Sequence, residues 1–287
     1  MPLPVNEIIT GDCLEVMKGW PDNCVDLVVT SPPYDNLRDY QGYEFRFEDI
    51  AKELFRITVD GGVVVWVVGD SVIDGSESGT SFIQALHFKG IGFNLHDTMI
   101  YEKNGGLPDN CRYYQIFEYM FVFSKGRPKT INFLEDRKNR FTERWGKGRT
   151  VRNKNGSMSP RDDWHGREFG RRNNIWKYST GAGYSTKELI AFEHPATFPE
   201  ALASDHIKSW SNEGGTILDP MVGSGTTCKM AKMLGRNYIG IDISEEYCEI
   251  ARQRLEAVDT GVPVKEQRAG QMALFRKGRH GCQIIRD

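Results

Sequence analysis

Two short stretches of this chain carry residues whose types and spacing suit chemistry. In Ser31-Pro32-Pro33-Tyr34, the paired prolines fix the backbone and remove two amide donors, so the carbonyls there are turned outward as acceptors. A serine oxygen and a proline carbonyl can together accept both hydrogens of an amino group. That arrangement directs the nitrogen lone pair at an electrophile, which is positioning rather than acid–base catalysis. Tyr34 adds a flat face on which a base can stack. The plainer alternative is a Pro-Pro turn closing a strand.

The second stretch lies late in the chain. Thr216-Ile217-Leu218 reads as a strand, Asp219-Pro220-Met221-Val222-Gly223-Ser224-Gly225-Thr226-Thr227 as a loop opening a helix, and Asn237–Asp242 as the next strand. Strand, G-x-G turn, helix, and a strand ending in an acid form an architecture that binds adenosine. Gly223 and Gly225 are expected to let the backbone approach the ligand, and Asp242 to accept hydrogen bonds from ribose hydroxyls. A dinucleotide site would need a third glycine where Cys228 stands, and a P-loop would need a closing Gly-Lys. With neither diphosphate motif present, S-adenosylmethionine is the expected cofactor. A tight packing turn is the alternative.

Other segments must hold these two stretches in place. Cys13 to about Gly19 reads as a helix, and Val25–Val29 as a buried strand stopped by Pro32-Pro33. A helix follows from about Phe47 to Ile57, with Ile50, Leu54 and Ile57 near helical spacing. Asp60-Gly61-Gly62 reads as a turn before the strand Val63–Val68. A helix over Thr80–Lys89 and strands at Asp97–Tyr101 and Glu118–Ser124 continue the rhythm. It resumes with helices from about Pro199 to Trp210, through Leu234, and from Glu245 to Val258. The pattern predicts an α/β fold, a mostly parallel sheet with helices on both faces.

The rhythm is broken by a basic block. Residues 125–177 hold 16 Lys/Arg against 6 Asp/Glu, leaving 21 against 33 elsewhere in a chain of net charge −2. A block this basic in an acidic body suits a phosphate-facing module, with Arg149, Arg152, Lys154, Arg161, Arg167, Arg171 and Arg172 as candidate DNA contacts. A solvated, partly disordered insertion is the bland reading. Phe141, Trp145, Trp164, Phe169, Trp176 and Tyr178 count against it, because disordered segments are poor in aromatics. The expected domains are 1–125 with 178–258 as one body, 126–177 as a loop-rich recognition insertion, and 259–287 as a loosely packed tail.

Composition excludes several classes. Hydrophobic residues at 39% and charged ones at 26% suit a globular protein rather than a disordered one. No stretch approaches the ~18–20 apolar residues of a membrane span, and no secretory leader is visible at the start. The six cysteines form no C-x-x-C pair and the histidines no H-x-H spacing, so neither metal nor disulfide is expected and the cytoplasm is the expected location.

Ser31-Pro32-Pro33-Tyr34 matches [DNS]-P-P-[YFW], the signature of the amino-group DNA methyltransferases, which make N4-methylcytosine or N6-methyladenine. The chain resembles that family further. Asp219–Thr227 matches D-P-F-x-G-S-G-T-T with Met221 for Phe, and His194-Pro195-Ala196-Thr197-Phe198-Pro199 matches H-P-x-x-[FK]-P. Gly11-Asp12-Cys13-Leu14 matches the segment that touches the cofactor adenine. The permuted order, catalytic segment first and cofactor loop last, is that of the β-group. The resemblance covers about residues 6–125 and 174–258.

It implies a Rossmann-like methyltransferase fold and a target base flipped out of duplex DNA. Its amino nitrogen attacks the sulfonium methyl directly, without the P-C nucleophile of C5-cytosine enzymes, and no Pro-Cys occurs here. Ser31 and the Pro32 carbonyl would orient the amine, with Pro33 and Tyr34 completing the pocket. Asp12, Cys13, His194, Phe198, Asp219, Met221, Gly223, Ser224, Gly225, Thr226, Thr227 and Asp242 would hold the cofactor. Within the family, Ser at the first position leans to cytosine and Asp to adenine; both bases stay open, as does a non-catalytic DNA-binding module. The resemblance is compatible with a homodimer and with a cognate restriction endonuclease as partners.

Overall fold

The computed structural model describes residues 2–33, 45–106, 111–140, 150–160 and 167–268, with the backbone of 275–277 and 282–284. Among these, eight strands form one sheet: β1 (Glu7–Thr10), β2 (Val25–Thr30), β3 (Thr58–Val68), β4 (Asn94–Lys103), β5 (Phe117–Ser124), β6 (Ile175–Tyr178), β7 (Thr216–Asp219) and β8 (Asn237–Asp242). Their spatial order is β1-β8-β7-β2-β3-β5-β4-β6. Only β5 runs against its neighbours; the other pairs are parallel. Parallel neighbours bring their carboxyl ends to the same edge. The segments after β1, β8, β7 and β2 therefore meet there, where crossovers leave the sheet in opposite directions and ligands commonly bind.

Both faces of the sheet are covered, as its near-continuous apolar strands require. On one face α1 (Cys13–Lys18), α2 (Phe47–Ile57) and α3 (Thr80–Gly90) bury Met17, Leu54 and Phe88 with Val28, Val64, Trp66 and Phe123. The other face takes α4 (Glu200–Trp210), α5 (Thr226–Met233) and α6 (Glu245–Thr260). There His206 Nε2 lies 3.2 Å from Met120 Sδ, its ring packs 4.6 Å from that of Trp176, and Thr227 donates to the Val29 carbonyl. Among the described residues no helix is long and apolar enough to cross a membrane, and no His/Cys/Asp/Glu group could hold a metal ion.

Three segments differ from the sequence reading. Asp60-Gly61-Gly62 is not a turn but part of β3, whose pairing with β2 shifts register between Val25 and Leu27. Gly61, at φ +76°, absorbs the irregularity much as a bulge does. Residues 175–177, assigned to the basic insertion, instead belong with Tyr178 to the edge strand beside β4, with Trp176 and Tyr178 turned inward. Residues up to Arg268, assigned to the tail, are packed: α6 runs to Thr260, and α7 (Val264–Arg268) buries Val264 against Ile190, Ile250 and Ala257.

A separate compact unit spans Phe133–Asn173, narrower at both ends than the 126–177 block. Before it, Lys129 pairs with Asp26 at 2.6 Å and the Asn132 amide donates to Ser209, both in the main unit. Within the unit, two short antiparallel ribbons form, Thr150–Arg152 with Met158–Pro160 and Arg137–Lys138 with Phe169–Gly170. Arg172 is forked onto Asp136, Arg171 lies over the Phe133 ring at 3.9 Å, and Arg167 is 3.6 Å from Glu135. These three cations help hold their own unit together. Arg152 and Lys154 are exposed, while Arg149 and Arg161 lie outside the described residues.

Candidate functional site

The carboxyl ends of β1, β8, β7 and β2 open into a cleft of about 620 Å³ in the main unit. Asp12 caps α1, accepting from the Leu14 amide at 2.9 Å, and its second oxygen takes Arg46 Nη2 at 2.6 Å. The Gly11 amide donates to the Asp242 carbonyl at 2.8 Å, locking the two strand ends together. Cys13 beside them stays a neutral thiol, its pKa pushed up to about 12 by burial and by Asp12.

Asp242 organises the loop after β7. One of its oxygens accepts from the Gly223 amide at 2.9 Å and the other from Ser244 at 3.0 Å. Burial raises its pKa against the pull of these backbone donors. A carboxylate has about four acceptor sites, so capacity remains for a ribose hydroxyl. The two glycines answer to the protein's own packing. Gly223 has φ +48°, and a Cβ there would lie 2.9 Å from His194 Nε2; Gly225 has φ +83°, and its Cβ would lie 2.7 Å from Ala251. Besides the expected room for the ligand, the packing itself requires room for His194 and for α6 at these two positions. The His194 ring is held edge-on to Tyr247 at 4.4 Å.

Of the expected cofactor residues, Asp12, Cys13, His194, Phe198, Met221, Gly223, Ser224, Thr226 and Asp242 border the cleft. Asp219, Gly225 and Thr227 stand behind it. Asp219 is 1% exposed and accepts from Thr30 Oγ1 at 2.7 Å and the Met221 amide at 3.2 Å. It thereby ties the end of β2 to the loop after β7. Ser31, Pro32 and Pro33 border the same cleft; Tyr34 lies outside the described residues.

Burial pushes the Asp219 carboxyl up to about 6 from an ordinary 3.8. Between those values the folded protein keeps a proton that the unfolded chain releases, so this group's contribution falls as pH rises through the window. The full penalty above pH 6 is about 3 kcal/mol. Asp219→Asn keeps an acceptor oxygen without the charge. Urea unfolding is expected to find the variant gaining on the wild type between pH 4 and pH 7. A difference independent of pH would refute this.

Several lining residues were not singled out from the sequence: Phe45, Phe192 and Ser185, and Tyr101, Lys103 and Glu118 on β4 and β5. Lys103 pairs with Glu118 at 3.0 Å. Tyr101 and Lys103 are two apart on a strand and so share a face, but only the cleft shows which face matters.

Behind the loop lies a buried ionic cluster. Arg254, 0% exposed, reaches Glu188 and Glu200 at 2.7 Å each and the Ser224 carbonyl at 2.5 Å. Lys229 meets the same two carboxylates at 2.9 and 2.8 Å. Burial works against the Glu200 charge, but hydrogen bonds from Lys229 and Thr186 outweigh it and hold its pKa low.

Residues 25–253 match the N6/N4 methylase family model, described as DNA methylase. The orphan methyltransferase M.BamHII of Bacillus amyloliquefaciens is 57% identical over 242 residues, covering 82% of this chain and 90% of that protein. Among solved structures, the PvuII DNA methyltransferase, described as cytosine-N4-specific, superposes with a TM-score of 0.65 at 18% identity, covering 91% of this chain and 89% of that one. The complex of M1.HpyAVI with S-adenosylmethionine gives 0.58 at 24% identity, covering 87% and 98%.

Proposed function

The chain belongs to the N6/N4 DNA methylase family, and on that premise we propose that it methylates the exocyclic N4 of cytosine in duplex DNA. Its cofactor is S-adenosylmethionine, which supplies an electrophilic methyl group when bound. The cleft suits it: Asp242 has acceptor capacity for ribose, Phe198 and Met221 offer apolar surface for adenine, and the loop carries neither diphosphate motif. Asp12 and the loop Met221–Thr226 complete that side. Opposite, Ser31 and the Pro32 carbonyl accept the two amino hydrogens of the flipped base and aim its lone pair at the methyl group. The nitrogen is itself the nucleophile, so no residue needs to bond to the base.

The observation that carries the choice of cytosine is serine at position 31, where the adenine enzymes of this family lean to aspartate. Residues 133–173 are the proposed target-recognition unit, with exposed Arg152 and Lys154 among the phosphate contacts. The M.BamHII likeness supports its being, like that relative, an orphan methyltransferase. Duplex DNA incubated with enzyme and cofactor, then digested to nucleosides for mass spectrometry, is expected to yield N4-methyldeoxycytidine. N6-methyldeoxyadenosine in its place would overturn the choice of base.

A further inference from the structure

We propose that the Tyr101 hydroxyl on β4 reads the target base, donating a hydrogen bond to the ring nitrogen beside the amino group that is methylated. The inference rests on the amino-methylation reading above and extends it to a residue outside the family motifs. Tyr101 is 2% exposed, yet among the described residues its hydroxyl has no hydrogen-bond partner. Buried polar groups are almost always paired, so an orphan that borders a ligand cleft points to a partner that arrives with the ligand.

The ring is packed among neighbouring strands. In the sheet Tyr101 sits between Glu118 on β5 and Trp176 on β6. Its ring packs 5.9 Å from that of Tyr178, which is itself anchored through its hydroxyl to Asp205 at 2.7 Å. Glu118, directly opposite, is occupied by Lys103 at 3.0 Å. Burial raises the Tyr101 pKa, with Glu118 adding to the effect, so the phenol keeps its proton at any working pH and remains available as a donor.

The chemistry of the base supplies the match. In cytosine the atom beside the amino-bearing carbon is N3, in adenine N1, and both are bare acceptors. The Ser31 oxygen and the Pro32 carbonyl, which border the same cleft, are assigned to the two amino hydrogens, which leaves the neighbouring ring nitrogen to a separate donor. Thymine presents N3–H at that point and a carbonyl in place of the amine. A phenol donor beside two acceptors therefore favours amino bases and disfavours thymine.

The test is Tyr101→Phe combined with a DNA duplex whose target cytosine is 3-deazacytosine. The variant is expected to lose about 10- to 100-fold in kcat/KM on normal DNA, with unchanged affinity for S-adenosylmethionine and no fall in Tm. Wild type should lose a similar factor on the deaza duplex, and the variant should lose nothing further there. Wild-type kcat/KM in the variant, or losses that multiply when variant and analogue are combined, would overturn the assignment. If nucleoside analysis returns N6-methyladenine, the cytosine reading falls alone. The analogue is then 1-deazaadenine, for which the same losses are expected and the same outcomes would overturn the role of Tyr101.

Discussion

Replacing Ser31 with alanine is expected to lower methyl transfer by about 100-fold or more while leaving cofactor affinity nearly unchanged. Alanine removes one of the two proposed acceptors for the amino hydrogens, so the lone pair is no longer aimed at the methyl group. The cofactor contacts proposed for Asp12, Asp242 and the loop after β7 are untouched. Asp242→Ala should behave in the opposite sense. Losing a charged acceptor for a ribose hydroxyl costs on the order of 1.5–3 kcal/mol, or about 10- to 150-fold in affinity. Its loss also releases the Gly223 and Ser244 amides that it holds. Single-turnover methylation and calorimetric titration with S-adenosylhomocysteine separate the two effects. Near-normal turnover in Ser31→Ala would remove that residue from its role, and unchanged affinity in Asp242→Ala would make the aspartate a purely structural strand end.

The largest stability effect is expected at Arg254. Alanine there would leave Glu188 and Glu200 sharing Lys229 as their remaining cation in the cluster. It would also free the Ser224 carbonyl within the loop after β7. Breaking a buried ion pair by removing one partner costs about 3–5 kcal/mol, which corresponds to a fall in Tm of roughly 10 °C for a domain of this size. Cofactor affinity should fall as well, because the arginine bridges the loop to the chain segments on either side of His194–Phe198. Arg254→Lys should restore little of either, since a compact ammonium lacks the spread of a planar guanidinium, which reaches Glu188, Glu200 and the Ser224 carbonyl from three separate nitrogens. Thermal unfolding with and without S-adenosylhomocysteine measures both, and a Tm within about 2 °C of wild type would show that the cluster contributes nothing net.

Much of the sheet and both motifs were legible in the linear chain because their signals are local. Val63–Val68 is an unbroken apolar run, α2 keeps helical spacing over Phe47–Ile57, and the proline pair and the G-x-G loop are contiguous. Their meeting follows from parallel strands, whose carboxyl ends share one edge. What each motif residue does there was not legible. Asp219 and Gly225 belong to the loop motif, yet one is turned inward to Thr30 and the other makes room for Ala251. Ile175–Tyr178 became a sheet strand because β4 offered a free parallel edge, which no local pattern announces. Arg254 finds its acceptors 66, 54 and 30 residues away. The orphaned hydroxyl of Tyr101 exists only because two other strands and Tyr178 bury it. Sequence by itself determined most element types, the cofactor class and the two contiguous motifs, since these depend on backbone propensity and neighbouring residues. The tertiary structure alone decided which side chains face the cleft, because burial and polar pairing are set by neighbours distant along the chain.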